Sequence, residues 1–238
     1  GVGYVSSKMM LTFSKSKIEK FVKTFETTRY NLNCWRNHEN LWRSTLGLDD
    51  TTGKTIIDFG CGFGIESLQF CYKNNEIILA DISEDNLKCA EYVINTMGYK
   101  VKELVLLTNE DPFLNPQNKY DIFYSCGVLH HTPNMPKIIK SALNNFKDKN
   151  DIEYRLMLYS DKAWTIETGF PLIRKIPIYQ QRGFYKYCNI MDELSEYADW
   201  YDEKKLNSIL PKELEVSKYT YIGQRERYST SIVKNKKE

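Results

Sequence analysis

The stretch Ile56-Ile57-Asp58-Phe59-Gly60-Cys61-Gly62-Phe63-Gly64 joins an apolar run to a turn in which three glycines alternate with bulkier residues. The apolar run predicts a buried strand, and the glycines predict a tight turn whose backbone N–H groups can approach a ligand closely. A second apolar run, Ile77–Ala80, ends in Asp81. We therefore expect two neighbouring strands whose carboxyl ends form a nucleotide-type cofactor site on an α/β sheet.

The spacing of the glycines indicates which cofactor the turn holds. A dinucleotide-binding turn follows the pattern GxGxxG, whereas here the third glycine comes one residue early, at Gly64, and Ile65 takes its place. The Asp58 carboxylate, two positions before the first glycine, would repel a pyrophosphate but suits a cationic amine. S-adenosylmethionine has an α-ammonium, a sulfonium and no phosphate. Asp81 can accept hydrogen bonds from both ribose hydroxyls, which does not discriminate between this cofactor and NAD.

Strands and helices alternate along the chain up to about residue 160. This alternation predicts a doubly wound α/β fold, with a mostly parallel sheet and helices on both faces. Two further strands flank Gly223 and could pair as a C-terminal antiparallel hairpin. The seven predicted strands are Thr55–Phe59, Ile77–Ala80, Glu103–Leu107, Tyr120–Cys126, Glu153–Tyr159, Leu214–Ile222 and Tyr228–Val233.

The two ends of the chain differ from the sheet region. Residues 1–50 are expected to form an N-terminal helical segment that acts as a lid, and residues 51–238 to form the sheet domain. Residues 1–15 are polar and expected to be irregular. A first helix is predicted to begin near Ser16, which has capping-box spacing with Glu19, and a second to cover Asn33–Leu46. Residues 160–200 are aromatic and lack clear periodicity, so we expect this insertion to cap the site.

Three segments carry a resemblance to a known family. Asp58–Gly64, Asp81-Ile82 and Tyr120–Asn134 are similar to the first motif, the ribose-binding acid and the fourth-strand motif of the class I (Rossmann-like) S-adenosylmethionine-dependent methyltransferases, especially the small-molecule group. The resemblance implies an enzyme that uses S-adenosylmethionine and releases S-adenosylhomocysteine. It implies cofactor contacts from Asp58, Gly60, Cys61, Gly62, Gly64, Asp81, Ile82, Cys126 and Gly127. Asn109, Glu110 and Asp111 are all candidates for the family's adenine-binding acid.

Two histidines follow the fourth predicted strand and should face the cleft. Methyl transfer from a sulfonium is an in-line displacement, in which the protein mainly aligns the nucleophile and excludes water. A general base helps when the nucleophile is a hydroxyl or an ammonium, and an unperturbed histidine has a pKa of about 6.5. His130 and His131 are therefore the candidate catalytic residues. The alternative is that one or both only brace the loop through hydrogen bonds.

Aromatic and basic side chains outside these motifs are candidates for binding the methyl acceptor. Tyr30, Trp35 and His38 belong to the N-terminal segment, and Tyr159 and Trp164 follow the fifth predicted strand. Between residues 168 and 191 basic residues are interleaved with aromatic ones and no acid is present. This stretch could receive an anionic substrate, a membrane surface or single-stranded nucleic acid. Core packing or an ordinary solvated surface is the alternative for all of these residues.

Composition limits the classes of function. The formal net charge of +2 gives little reason to expect nucleic acid as a partner. The six cysteines are scattered, so no metal site is predicted. No apolar run is long enough to span a membrane, and we expect a cytoplasmic protein. The expected methyl acceptor is a small or medium-sized metabolite with an oxygen or nitrogen nucleophile. The alternatives are a methyltransferase acting on a macromolecule (RNA, protein or lipid) through residues 168–191, a catalytically silent cofactor-binding protein and, last, an NAD-dependent oxidoreductase.

Overall fold

One sheet organises the part of the chain that the computed structural model describes, which is residues 5–31, 34, 37–108, 117–162 and 197–236. Its strands are β1 (Thr55–Phe59), β2 (Glu76–Asp81), β3 (Val101–Leu106), β4 (Ile122–Cys126), β5 (Glu153–Tyr159), β6 (Leu214–Ile222) and β7 (Tyr228–Asn235). Their order in the sheet is β3-β2-β1-β4-β5-β7-β6. The first five strands pair in parallel, and β7 runs antiparallel to both β5 and β6.

Helices cover both faces of this sheet. They are α1 (Ser7–Met10), α2 (Lys15–Arg29), α3 (Leu41–Thr45), α4 (Ile65–Cys71), α5 (Glu84–Thr96), α6 (Met135–Ala142) and α7 (Glu203–Ile209). The first five contribute to a core that includes Ile56 of β1, whereas α6 and α7 contribute to a second core that includes Ile57. Because successive strand residues point to opposite faces, the single buried strand β1 supplies both cores.

The predicted fold class is confirmed by this topology. The strands β1, β5 and β6 have the predicted bounds, and β7 extends the predicted hairpin strand to Asn235. The fourth strand begins at Ile122 rather than at Tyr120, whose backbone forms only an isolated bridge with Phe146. The carboxyl ends of β1, β2 and β4 therefore lie side by side, as the position of a cofactor site requires.

The N-terminal helices differ from the prediction in two places. Helix α2 begins at Lys15 and is preceded by the extended residue Ser14, so Ser16 lies inside the helix and does not form the predicted capping box. The helix predicted over Asn33–Leu46 is wrong at its centre, where a short 3-10 turn, His38–Asn40, precedes α3. Glu39 (φ +56°) and Asn40 (φ +59°) occupy the left-handed region, which an α-helix cannot continue through.

Residues expected to be irregular contain a helix. Ser6 accepts a hydrogen bond from the Met9 N–H at 3.2 Å and caps α1. Met10 and Phe13 are buried in the first core, and the Tyr92 hydroxyl of α5 donates to the Phe13 carbonyl at 2.6 Å. Apolar anchoring and one backbone contact thus hold this segment against α5.

Most of the predicted cap lies outside the described residues, since residues 163–196 are not among them. Residues 197–201, at its far end, return to the sheet: Ser160 and Tyr201 form a parallel bridge, and the Asp199 N–H donates to the His130 carbonyl at 2.9 Å. Among the described residues, no helix has the length and apolarity needed to cross a membrane.

Candidate cofactor and active site

The turn after β1 is built from glycines in the left-handed region. Gly60 has φ +80°, and its N–H donates to the Ala80 carbonyl of β2 at 2.7 Å. A Cβ at Gly60 would lie 2.4 Å from a methyl carbon of Val128. A Cβ at Gly64, where φ is +73°, would lie 2.8 Å from the Cβ of Ala90. Both positions therefore require glycine, because a side chain would meet backbone strain and a clash together.

The middle glycine faces open space instead. A Cβ added at Gly62 would have no neighbour within 4 Å. A cavity of about 650 Å³ lies here, lined by Gly62 and Phe63 of the turn, Ser83 and Asn86 at the start of α5, and residues 5–8 opposite. The turn thus presents its backbone to a space large enough for a nucleoside-sized ligand.

Asp81 lies at the carboxyl end of β2, and its carboxylate is held by three donors. Its Oδ2 accepts the Gly62 N–H at 3.1 Å. Its Oδ1 accepts the Ser83 N–H at 2.9 Å and the Asn86 side-chain amide at 3.2 Å. The Asp81 residue is only 5% exposed. These bonds orient the Asp81 carboxylate, a hydrogen-bond acceptor, at the edge of the cavity, where hydroxyl groups of a ribose could reach it.

Asp58 is buried beneath the turn, on the same face of β1 as Ile56. The Ser67 hydroxyl of α4 donates to its Oδ2 at 2.5 Å. Burial raises the pKa of this carboxyl to about 7; the Ser67 bond lowers it, and the charges of Glu66 and Asp81 raise it further. Ser67 was missed at the sequence level, although a polar residue between the buried Ile65 and Leu68 was a usable signal.

The remaining motif residues surround the same edge of the sheet. Ile82 is 65% exposed, as an apolar side chain available to a ligand would be. The Gly127 N–H already donates to the Met157 carbonyl at 3.1 Å, so this donor serves the sheet rather than a ligand. The Cys126 thiol contacts the Met157 sulfur at 3.6 Å. The Cys61 thiol is buried, and burial raises its pKa.

The two candidate catalytic histidines lie in the short 3-10 turn Leu129–His131 after β4. The His130 ring is completely buried, and its centroid lies 3.8 Å from that of Tyr159. The His131 Nδ1 lies 3.1 Å from the Tyr197 carbonyl oxygen. With the Asp199 bond to the His130 carbonyl, these contacts tie the loop to residues 197–201. They match the bracing alternative for His130, and its role as a base remains a prediction.

Two phenols and a carboxylate gather beside Asp58. Tyr124 pairs with Asp58 across the parallel β1–β4 register, so both side chains lie on one face. Burial raises the pKa of Tyr30 and of Tyr124, and Glu66 and Cys126 raise both further. The Tyr30 hydroxyl is buried and has no hydrogen-bond partner among the described residues. Tyr124 and Glu66 were not among the predicted site residues, although Tyr124 lies within the fourth-strand motif Tyr120–Asn134.

A polar network places Tyr30 in this position. The Arg43 guanidinium lies 4.4 Å from the Tyr30 ring centroid and donates to Asp49 and, at 3.2 Å, to Gln69 Oε1. The Gln69 amide in turn donates to Glu26 of α2 at 2.7 Å. Helices α2, α3 and α4 are thereby linked, and the cation stacked on Tyr30 favours one ring orientation.

Several predicted site residues lie elsewhere or are outside the described residues. Tyr159 is buried and packs against His130 and Trp200. The ring centroids of Tyr159 and Trp200 are 6.4 Å apart. The backbone of His38 lies in the 3-10 turn before α3. The following lie outside the described residues: Trp35, Asn109, Glu110, Asp111, Trp164 and residues 168–191. Within the described ranges no group of three His, Cys, Asp or Glu side chains could hold a metal ion.

Comparison with known proteins agrees with this geometry. Residues 50–158 match the family model described as "Methyltransferase domain". A protein of Proteus mirabilis named ubiquinone biosynthesis O-methyltransferase is 24% identical over 162 residues, which are 67% of this chain and 64% of that relative. A relative of the same name from Hydrogenovibrio crunogenus is 30% identical over 95 residues, 40% of this chain and 39% of its own. The chain thus spans less than two thirds of the length of these curated relatives.

Solved structures share the fold. An S-adenosylmethionine-dependent methyltransferase from Clostridium acetobutylicum superposes with a TM-score of 0.60 at 13% identity, covering 92% of this chain and 99% of that one. Magnesium protoporphyrin IX methyltransferase from Synechocystis, with bound S-adenosylhomocysteine, gives a TM-score of 0.54 at 16% identity and covers 100% of this chain and 90% of its own.

Sheet order, glycine turn and strand-end carboxylates define a Rossmann-like methyltransferase domain. Together with the match of residues 50–158 to a methyltransferase-domain family model, they support the predicted resemblance to the class I S-adenosylmethionine-dependent methyltransferases.

Proposed function

We propose that this chain transfers a methyl group from S-adenosylmethionine to an oxygen or nitrogen nucleophile of a small or medium-sized metabolite. The observation that carries the proposal is the pair of strand-end carboxylates, Asp58 and Asp81, on either side of a glycine turn that is open at Gly62. Carboxyl groups at both strand ends disfavour a pyrophosphate, and a cationic ligand with a ribose would favour the ionised form of Asp58.

The residues around the turn fit S-adenosylmethionine. Asp81 would hold the ribose, and the exposed Ile82 would pack beside the adenine. The backbone of the Gly60–Gly64 turn would line the methionine end together with Cys126. Asp58, buried and bonded to Ser67, would in its ionised form attract the α-ammonium through its charge rather than by direct contact. Asn109, Glu110 and Asp111 remain the proposed adenine-binding candidates. The bound cofactor supplies the activated methyl group.

The methyl acceptor is proposed to lie where Tyr30, Tyr124 and Glu66 converge near Cys126. The phenol groups of Tyr30 and Tyr124 are polar groups within an otherwise apolar core, which is the composition expected of a site that orients a small molecule. The Proteus mirabilis relative is named for a small-molecule O-methylation, which favours an oxygen nucleophile. The chain's own contribution is to align that oxygen and to exclude water.

Removal of the acceptor's proton is proposed to involve His131 rather than His130. The His130 ring is completely enclosed, whereas His131 is half-buried and directs Nδ1 at the Tyr197 carbonyl. A bond from Nδ1–H to a carbonyl leaves Nε2 as the basic nitrogen of a neutral imidazole. His130 would then hold the loop in place through its stacking on Tyr159.

The N-terminal segment, residues 1–50, is proposed to act as part of the lid over this site, together with residues 160–200. Residues 5–8 line the cavity beside the turn, and the network of Arg43 positions Tyr30. Both observations support a covering role for the segment in addition to its share of the core.

Calorimetric titration with S-adenosylmethionine, S-adenosylhomocysteine and NAD tests the proposal directly. We expect micromolar binding of the first two and none of NAD. A panel of phenols, hydroxy acids and amines is then incubated with S-adenosylmethionine, and release of S-adenosylhomocysteine is measured, with the Asp81→Ala variant as a control. Tight NAD binding without S-adenosylmethionine binding would overturn the proposal.

A further inference from the structure

The short helix α1 reaches the ribose-binding carboxylate through one side chain of α5. The Ser7 hydroxyl forms a hydrogen bond with the Asn86 side-chain oxygen, and the Asn86 Nδ2 lies 3.2 Å from Asp81 Oδ1. Ser7 is buried and Asn86 is half-buried. Three side chains from α1, α5 and β2 therefore form a continuous chain that ends at the cofactor site.

The direction of these bonds follows from their chemistry. An ionised carboxylate can only accept hydrogen bonds, so the Asn86 group that faces Asp81 must be the NH₂. The amide oxygen then faces Ser7, whose hydroxyl must donate. Each link thus depends on the next, and loss of Ser7 would free the Asn86 amide to turn away from Asp81.

Asn86 also determines which part of the carboxylate is available. Asp81 Oδ1 already receives the Ser83 N–H and the Asn86 amide, whereas Oδ2 receives only the Gly62 N–H. Since each carboxylate oxygen has about two acceptor positions, the open position lies on Oδ2, beside the cavity that Gly62 and Asn86 line.

We propose that Asn86 is a positioning residue for the ribose-binding carboxylate and that Ser7 anchors it, so that α1 is a functional part of the cofactor site. This inference rests on the proposed function, since it assigns Asp81 to the ribose. Docking of α1 and binding of the cofactor are then coupled, and by reciprocity each stabilises the other.

The test is calorimetric titration of the full chain with S-adenosylhomocysteine and with its 2′,3′-dideoxy analogue. Asn86→Ala and Asn86→Asp should weaken binding of S-adenosylhomocysteine about tenfold or more, and Ser7→Ala by about threefold or more, as loss of one oriented hydrogen bond predicts. Binding of the dideoxy analogue should change little, because it lacks the hydroxyls that Asp81 receives. Thr12→Ala is the matched control, since this exposed hydroxyl bonds only locally, to the Met9 carbonyl at 2.7 Å, and its affinity should equal that of the wild type.

Amide hydrogen exchange of ligand-free protein adds a second measurement. Protection of residues 9–13 should fall in Asn86→Ala and stay unchanged in Asn95→Ala, at an exposed position of the same helix. Equal losses of affinity for both ligands would reduce Asn86 to a general structural role and overturn the inference. So would wild-type affinity in Asn86→Ala. A wild-type chain that binds neither ligand would instead refute the proposed function itself, and the two failures are thus distinguishable.

Discussion

The Asp58 carboxylate lies buried beneath the glycine turn with the Ser67 hydroxyl on it, and its pKa is raised to about 7. The folded state therefore keeps this proton up to about pH 7, whereas the unfolded chain loses it near pH 4. The stability that the group contributes is complete below the unfolded pKa and is lost as the pH rises through the folded one. This buried carboxylate is thus a source of instability above neutral pH.

We expect Asp58→Asn to raise the free energy of unfolding, because the amide keeps the Ser67 bond and carries no charge to bury. The gain should be larger at pH 8 than at pH 5 and should level off above pH 8. Urea unfolding at pH 5, at pH 8 and above pH 8 measures the gain. Asp121→Asn is the opposite control: Lys147 and the Thr55 N–H lower the pKa of Asp121, so this change should destabilise the protein at pH 8. A pH-independent effect of Asp58→Asn would contradict the raised pKa of Asp58 in the folded state.

Gly60 combines a left-handed φ of +80° with a Cβ position 2.4 Å from Val128. Gly60→Ala should therefore lower the free energy of unfolding by about 2–5 kcal/mol, from backbone strain and overpacking together. Gly53→Ala separates the two effects, because Gly53 has φ +68° and nothing within 4 Å of its Cβ position; it should cost about 1–2 kcal/mol. Equal losses in chemical denaturation would mean that contact with Val128 is unimportant.

His131 and His130 are expected to respond differently to the same substitution. His131→Gln should lower kcat about 10²-fold and remove an acidic limb from the pH–rate profile, as loss of a general base does. His130→Gln should instead lower the thermal midpoint, because its ring is enclosed against Tyr159, and leave the shape of the profile unchanged. If His130→Gln removed the acidic limb and His131→Gln did not, His130 would be the base.

The loop between α2 and α3 depends on one buried amide. Asn37 is completely buried; its Nδ2 donates to the Tyr30 carbonyl at 3.0 Å and its Oδ1 accepts the Arg43 N–H at 3.3 Å. These bonds replace the helical ones that Glu39 and Asn40 interrupt. The same loop therefore sets the position of both Tyr30 and Arg43.

Asn37→Ala should lower the free energy of unfolding by about 2–3 kcal/mol, since it leaves buried backbone groups without partners. Asn95→Ala, at an exposed position of α5, should change it by less than about 0.5 kcal/mol. Denaturant titration of both variants compares them. If the two curves coincide, Asn37 does not hold the loop.

The sheet and its two cores form the rigid base on which the site depends. A ligand that binds only the folded state stabilises it by mass action, about 2.7 kcal/mol at one hundred times its dissociation constant. For a chain of this size we expect S-adenosylhomocysteine to raise the melting temperature by about 5–10 °C. In Asp81→Ala, with binding weakened roughly thirtyfold, the same concentration should give only about 2–3 °C. An undiminished shift would contradict the ribose assignment, and NAD serves as the negative control.

The fold and the glycine turn after β1 could be predicted from the sequence because their signals are local. Apolar strands, a glycine at each left-handed position and the acids at two strand ends are all visible in runs of a few residues, and β1 was predicted to the residue. The 3-10 turn at His38–Asn40 was not predictable, because the helical pattern around it hides two left-handed residues whose conformation depends on Asn37.

What the sequence determined by itself was therefore the sheet, its class and the glycine turn after β1. Only the tertiary structure decided that Ser67 covers Asp58, that residues 197–201 enclose His130, and that Ser7 reaches Asn86 from 79 positions away. The physical reason is that each contact joins different elements of the fold: Ser67 lies on α4 and Asp58 on β1, and the other two contacts join residues far apart in the chain. They are set by how helices pack on the two faces of the sheet, and no local periodicity records that packing.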